Sequence, residues 1–569
     1  MKISISKRIG FSVLVSLLLL GGTECGLRLA GYHGDVDRRV SWCREQSKNE
    51  PPFFIPQQSG STLAYAPRFE GQPRPFPVHK ASNTRRIFVF GGSAVHGYGF
   101  TRPGAWPDQL EERLALAWPG VRVEVINAGA IAWSSQQLLI FIKDVLANYE
   151  PDAIVIASGN NELLEWFDAR KYLPEESLGR WVKQIRWGVR LRRFRLYRLL
   201  TARFGGQAGH WGQTEFSDDE ALDWSERARM KDADRDFAVE RYRANLNRIL
   251  EEAGRANVPV VLGTVPVNWL EMPGEFAFAD AFGDTERTRV AAAERSLQEG
   301  ELEAADRQIE NLMAEWPEAS FAYRYGRKAR ELGLSERARK WLAEAIRLDE
   351  NPHRALPAIN QVVRDLAGKA DGFVDIQGIL EAGQPDGILD SKVVYDYCHL
   401  RPGSHGLVAD AVADLLVTDL WPEGNPVAAP VPLSVHFDGW LGEGVDGDRG
   451  GYSPNPGRDR KRWWAAAKES VEERPEDVAS WLGLGRVNWH IFHGQCGPQR
   501  APCLPEVATA LDQAIRVDSK CCEAWANRGL VAYASGEDNA VELLEHALEC
   551  EPADARTAWY LKRIRLESQ

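Results

Sequence analysis

Apolar and polar positions alternate along this chain in several distinct rhythms. Behind three basic residues, Lys2, Lys7 and Arg8, an apolar stretch runs from Ile9 to Gly22 and closes on Thr-Glu-Cys-Gly-Leu-Arg. This is the pattern of an export signal. Glu24 and Cys25 spoil the small-residue cleavage site, and no lipobox precedes Cys25. We therefore expect an uncleaved transmembrane anchor over residues 1–31, with a cleaved signal as the alternative. The basic flank keeps the N-terminus cytoplasmic and places the remainder on the periplasmic or extracytoplasmic side of a single-pass cell-membrane protein. Residues 32–80 carry Pro51, Pro52, Pro67, Pro73, Pro75 and Pro77, which break any period and predict an irregular lead-in without a core.

From Arg86 the rhythm becomes strand and helix in turn. Strands are predicted over 87–90, 121–126, 153–157 and 258–265, and helices over 107–117, 134–148 and a segment ending near Ala256. Short continuous apolar runs separated by helical periods predict an α/β fold, a parallel sheet covered by helices on both faces. The excursion after Asn161 is dense in arginine from Arg180 to Phe204, interleaved with Trp181, Trp187, Phe194 and Tyr197. It predicts an amphipathic helix, either a solvated basic face over a packed aromatic stripe or a cap resting on anionic lipid headgroups.

Two stretches repeat. Gly300 and Gly333 are 33 residues apart, as are Ala305 and Ala338, with Pro317 and Pro352 closing the units; near the C-terminus Trp481-x-x-x-Gly485 recurs as Trp525-x-x-x-Gly529, with Trp559 a further 34 residues on. Such offsets suit stacked helix pairs. With about two units each, neither array is expected to stand without a neighbour.

A length of 569 residues requires several structural units, and a net charge of −12 opposes non-specific binding of nucleic acid. Eight cysteines in so long a chain form no disulfide framework and no CxxC. Cys496 and Cys503 could pair in an oxidising compartment; with His490 and His493 the same segment could instead bind a metal, though the spacing does not specify one. Adjacent Cys521 and Cys522 are expected to pack.

The chemistry-bearing residues fall at predicted strand ends. Ser93 follows a strand through Gly91-Gly92, a turn able to present a nucleophile, while Asn161 follows another strand and Asp396-Tyr-Cys-His399 comes near the end of the α/β pattern. A serine hydroxyl needs a base, and the base needs a group that fixes its tautomer. Asp396, three residues before His399, can hold one ring nitrogen while the other faces Ser93. The amides of Ser93 and Gly129 and the side-chain amide of Asn161 can stabilise an oxyanion. His96 and His405 compete for the base; His96 is read as a lining residue and His405 as a packing or capping one. Cys398 is read as a small buried residue.

The order Ser93, Gly129, Asn161, Asp396/His399 resembles the four blocks of the SGNH hydrolases, also called GDSL-like esterases. The resemblance covers 81–285 and 352–420, and departs from the family at Gly92, where aspartate is usual, and at Glu162, which replaces the aspartate after Asn161. It implies a flavodoxin-like three-layer domain with Ser93 as nucleophile, His399 as base, Asp396 as its orienter, and Ser93, Gly129 and Asn161 as the oxyanion hole. No metal and no cofactor is implied. The inserted 286–351 and the C-terminal 461–569, reached through a linker over 421–460, resemble tetratricopeptide repeats and imply a protein partner. The expected activity is cleavage of O-acyl groups on a glycan or lipid through an acyl-serine intermediate. Acyl transfer to a sugar hydroxyl shares that chemistry, and an inactive scaffold recruiting envelope proteins is the rival from another class.

Overall fold

The computed structural model describes residues 5–32, 53–56, 62–65, 76–97, 105–204, 222, 228–271, 273, 284–350, 353–390, 392–394, 396–400, 402–422, 504–535 and 537–552, with scattered positions at 468–485 and 557–565. The Cys496–Cys503 pair, His490, His493, Pro352, Trp559 and most of the 421–460 linker lie outside the described residues.

The fold is mixed α/β. Five strands, β4 (Thr84–Gly91), β5 (Arg122–Gly129), β6 (Ala153–Ala157), β7 (Val260–Gly263) and β8 (Gly372–Val374), pair in parallel in the order β5-β4-β6-β7-β8. Their apolar runs are continuous because the central strands are buried on both faces; Ile87, Phe88, Val89 and Phe90 are fully buried. The order reverses direction after the first strand. Right-handed crossovers therefore put α3 (Trp106–Ala117) on one face and α4 (Ser135–Asn148), α8 (Asp232–Ala256) and α13 (Pro357–Leu366) on the other. Accordingly α3 packs with the closing helix α15 (Pro402–Leu415), and α8 with α4 and α13. Local signals set the helix starts: Pro107 sits in the first turn of α3, where a missing N–H is harmless, and Ser134 caps α4 in a reciprocal box with Gln137.

The lead-in is not wholly irregular, contrary to expectation. Strands β1 (Phe54–Pro56), β2 (Thr62–Tyr65) and β3 (Phe76–Pro77) form a small antiparallel sheet. Phe54 meets Phe76, Phe88 and Tyr149 at centroid distances of 5.0, 6.0 and 5.2 Å. Pro77 ends β3, and burial of a few aromatics stabilises a segment that has no periodic pattern.

After β7 the chain makes two helical hairpins, α9 (Asp284–Gln298) with α10 (Leu302–Glu315), and α11 (Ala319–Glu331) with α12 (Ser335–Leu348). Gly300 and Gly333 occupy the equivalent turns with φ of 83° and 73°, the left-handed geometry that ends a helix at glycine. Ala305 and Ala338 are buried beneath them. These hairpins share one continuous core with the sheet. The junction is tied by buried ions: Glu350 accepts from Arg170 at 2.6 Å and from the Met230 amide at 2.9 Å.

The C-terminal helices Leu504–Val517, Cys522–Ser535 and Ala540–Cys550 form their own small cores. The indole N–H groups of Trp481 and Trp525 donate to carbonyls six residues upstream, Pro475 and Ser519, at 2.8 and 2.9 Å. Cys522 forms a disulfide with Cys550 rather than merely packing; the antiparallel helices bring the start of one beside the end of the next.

Helix α1 (Ile5–Leu29) contains a segment, Phe11–Leu29, long and apolar enough to be a membrane anchor or a signal sequence. The arginine-rich excursion forms two helices instead of one, α6 (Glu175–Leu191) and α7 (Arg195–Phe204), separated by a turn at 192–194.

Candidate active site

In a doubly wound sheet of this order a cleft opens at the carboxyl ends of the strands where the winding reverses, between β4 and β6. Ser93 follows β4 and Asn161 follows β6. Asp396 and His399 reach the same rim from a loop closed by an antiparallel bridge between Val394 and Leu400. That loop is pinned by the segment after β7: the Asn268 amide donates to Tyr397 O at 3.1 Å and its side chain to Val394 O at 3.2 Å.

Asp396 organises the loop. Its Oδ1 accepts the backbone N–H groups of Cys398 and His399 at 2.9 and 2.8 Å, and its Oδ2 lies 2.7 Å from His399 Nδ1. Burial raises the Asp396 carboxyl, but the His399 charge and hydrogen bond, with the two amides, outweigh it and hold the group below its ordinary value. An ionised Asp396 fixes the proton of His399 on Nδ1. The lone pair on Nε2 then faces Ser93 Oγ at 2.7 Å. Two segments far apart in sequence, Ser93 and the Asp396–His399 loop, thus form one proton path.

Ser93 opens the short helix α2 (Ser93–His96), so its amide has no carbonyl partner among the described residues. Gly92 is required by packing: a Cβ there would lie 2.6 Å from Asn161 Nδ2. Asn161 Nδ2 donates to Trp133 O at 3.0 Å, and Asn161 Oδ1 is 3.3 Å from His353 Nδ1. This pairing orients the amide and leaves one Nδ2 hydrogen for a ligand beside Ser93.

Gly129 does not take the expected place. Ala130 N–H points inward to Gly91 O at 3.0 Å, so the preceding amide points off the outer edge of β5, where Asn127 Oδ1 accepts it at 3.0 Å. The glycine is needed for another reason, since a Cβ would fall 2.3 Å from His96 N. The turn after β5 supplies a different candidate donor. Ala132 there has φ of 63°, left-handed for a residue with a side chain, and its amide has no partner among the described residues. Trp133 O, one residue on, is 3.7 Å from the position of a Gly92 Cβ.

Sequence reasoning also missed His353, which no motif marks. It stacks on Tyr397 at 5.6 Å, and Tyr397 lies 5.5 Å from His399. Burial, then the His399 charge, lowers the His353 pKa to about 4, so it meets Asn161 as a neutral ring. Glu162 has more to do than its neighbour role suggested: buried, it accepts the Ser135 amide at 2.7 Å and its hydroxyl at 2.8 Å, tying the start of α4 to the Asn161 segment. Of the competing histidines, His405 accepts the Trp106 amide at 3.2 Å, capping α3 rather than its own helix, and His96 lies at the end of α2 beside Gly129.

Asp396, Cys398 and His399 bring three possible metal-ligand atoms within 4.8 Å of one another. Burial, with the Asp396 charge, pushes the Cys398 thiol well above its ordinary value, and both His399 nitrogens are engaged. The donor set suits proton transfer better than metal ligation. No protein-family model and no curated protein matches this sequence.

Proposed function

We propose that this chain is a membrane-anchored serine esterase of the SGNH type, acting on O-acyl groups of a glycan or lipid on the extracytoplasmic side. The observation that carries the reading is the Asp396–His399–Ser93 chain, with 2.7 Å at both links. His399 Nε2 takes the Ser93 proton as Oγ attacks the acyl carbonyl, and Asp396 stabilises the imidazolium. The Ser93 amide, Asn161 Nδ2 and the Ala132 amide receive the developing oxyanion. His399 then protonates the departing alcohol oxygen, and water, activated by the same base, releases the acid and restores Ser93. A sugar hydroxyl in place of water makes the second half an acyl transfer.

A retired scaffold has no need to keep a base hydrogen-bonded to a nucleophile, so the intact link favours chemistry over the scaffold reading. The helical hairpins are read as tetratricopeptide-like surfaces for a protein partner. The α1 anchor and the Cys522–Cys550 disulfide support an oxidising, extracytoplasmic location. The test is release of p-nitrophenol from short acyl esters by the full chain in detergent, with fluorophosphonate labelling of Ser93. Ser93→Ala should abolish both. An unaltered chain that neither turns over nor labels at Ser93 overturns the proposal, and a periplasmic-only reporter fused after Gln569 that stays silent overturns the topology.

A further inference from the structure

Between Arg180 and Phe204 stand nine arginines and lysines and no carboxylate, in a protein whose net charge is −12. Part of this charge is neutralised from behind: Glu240 on α8 accepts from Arg186 at 2.8 Å and Arg190 at 2.6 Å. Leu178, Trp181, Val182 and Val189 form the buried side of α6, with Trp181 6.0 Å from Phe237. The outward side therefore carries Arg180, Lys183 and Trp187 at helical spacing, followed by Arg193 and Phe194 in the turn. Trp187 is 61% exposed, and the Arg193 guanidinium lies 4.9 Å from the Phe194 ring centre. A merely solvated basic face has no use for an outward indole.

The position of this face decides its partner. Glu24 Oε2 of α1 accepts the Leu196 amide at 2.8 Å, and Arg28, paired with Glu24 at 2.8 Å, donates to Arg193 O at 3.3 Å. Arg195 donates to Tyr32 O. Glu24 stands two residues beyond the apolar stretch, about 3 Å along the helix. The turn at 192–196 is thus held against the charged C-terminal end of the candidate span Phe11–Leu29, and Trp187 stands one helical turn, about 6 Å, before the end of α6 at Leu191.

We infer that the outward face of α6 and the turn after it lies on an anionic phospholipid surface, with Trp187 and Phe194 among the headgroups and the basic side chains on phosphate oxygens. This rests on the reading of α1 as a membrane anchor. Apolar and aromatic insertion together with basic contacts is the general mode of interfacial helices. The consequence is a catalytic domain held in one orientation over the bilayer, not swinging on its anchor.

The full chain is placed in nanodiscs of phosphatidylcholine alone or with phosphatidylglycerol, carrying photoreactive benzoylphenylalanine in place of Trp187 or, separately, of Leu17 in the span. Lipid adducts are read by mass spectrometry. We expect adducts from position 17 in both lipids and from position 187 mainly in the anionic discs. Arg180→Glu, Lys183→Glu and Arg193→Glu together should reduce the latter more than tenfold, since each basic residue near an anionic surface contributes about fivefold. Adducts at 17 with none at 187 overturn this inference and leave the anchor standing. Adducts at 187 that ignore both lipid charge and the triple variant overturn the charge recognition. Silence at 17 removes the anchor and this inference with it.

Discussion

Asp396→Asn isolates the part of the site that depends on geometry. The substitution keeps volume and replaces one carboxylate oxygen by NH2. Because Oδ1 already serves the Cys398 and His399 amides at 2.9 and 2.8 Å, the asparagine oxygen takes that place and its NH2 faces His399 Nδ1. Two donors cannot face each other at 2.7 Å. The imidazole must release Nδ1–H and carry its proton on Nε2, so that it now donates toward Ser93 Oγ and cannot accept. The negative charge that would stabilise the imidazolium is also gone. The same tautomer inversion in a serine protease triad lowers kcat by about 10⁴, equivalent to about 5.5 kcal/mol of barrier. Hydrolysis of p-nitrophenyl acetate, followed together with the melting temperature, checks it. A variant that keeps more than about a tenth of kcat, a loss of under about 1.4 kcal/mol, or that loses activity only by unfolding, refutes the assigned hydrogen-bond pattern.

Other expectations concern the surroundings of that chain. Asn161→Ala removes one proposed oxyanion donor and should lower kcat by about 10²–10³ with little change in KM; an unchanged kcat in steady-state kinetics would remove Asn161 from the hole. Gly129→Ala sets a methyl 2.3 Å from the His96 backbone nitrogen, and should cost about 1–3 kcal/mol by urea unfolding; a neutral result contradicts the packing role. Glu162, raised by burial from 4.5 to about 7 despite Arg241 and Ser135, binds its proton more tightly in the folded chain than in the unfolded one. Its share of stability is therefore full below about pH 4.5 and is lost as pH rises through about 7, on the order of 3 kcal/mol. Glu162→Gln should flatten that slope in melts between pH 5 and 8, and an unaltered slope would assign it to other groups.

Legibility in the sequence followed the locality of the cause. Strand β6 matches its predicted bounds, 153–157, because a five-residue apolar run between polar residues has one comfortable state. Strand β8, three residues ending in Val374, carries too little pattern to be read. The aromatics at 53, 54 and 76 have no period because their partners, Phe88, Phe141 and Tyr149, lie on other elements. Gly129 departs from the expected donor role for a related reason. A glycine required by close packing and one required by a donated amide look alike in one dimension, and the direction of an N–H depends on which neighbour the strand pairs with. Nothing in the letters around Ala132 announces a left-handed residue, and His353 becomes relevant only because the buried ions at Arg170 and Glu350 return the inserted hairpins to the rim.

By itself the order of residues determined the period of each segment, the apolar N-terminal helix, the paired helical hairpins with their turn glycines, and the presence of a serine, an asparagine and an Asp-x-x-His at strand or loop ends. These depend on interactions within about one helical turn or one strand. Only the tertiary structure decided that His399 reaches Ser93 at 2.7 Å, that Gly129 turns its amide outward, and that the arginine-rich helices meet the end of α1. Each of those facts depends on contacts between segments separated by many residues, set by the winding of the sheet and by burial where they meet.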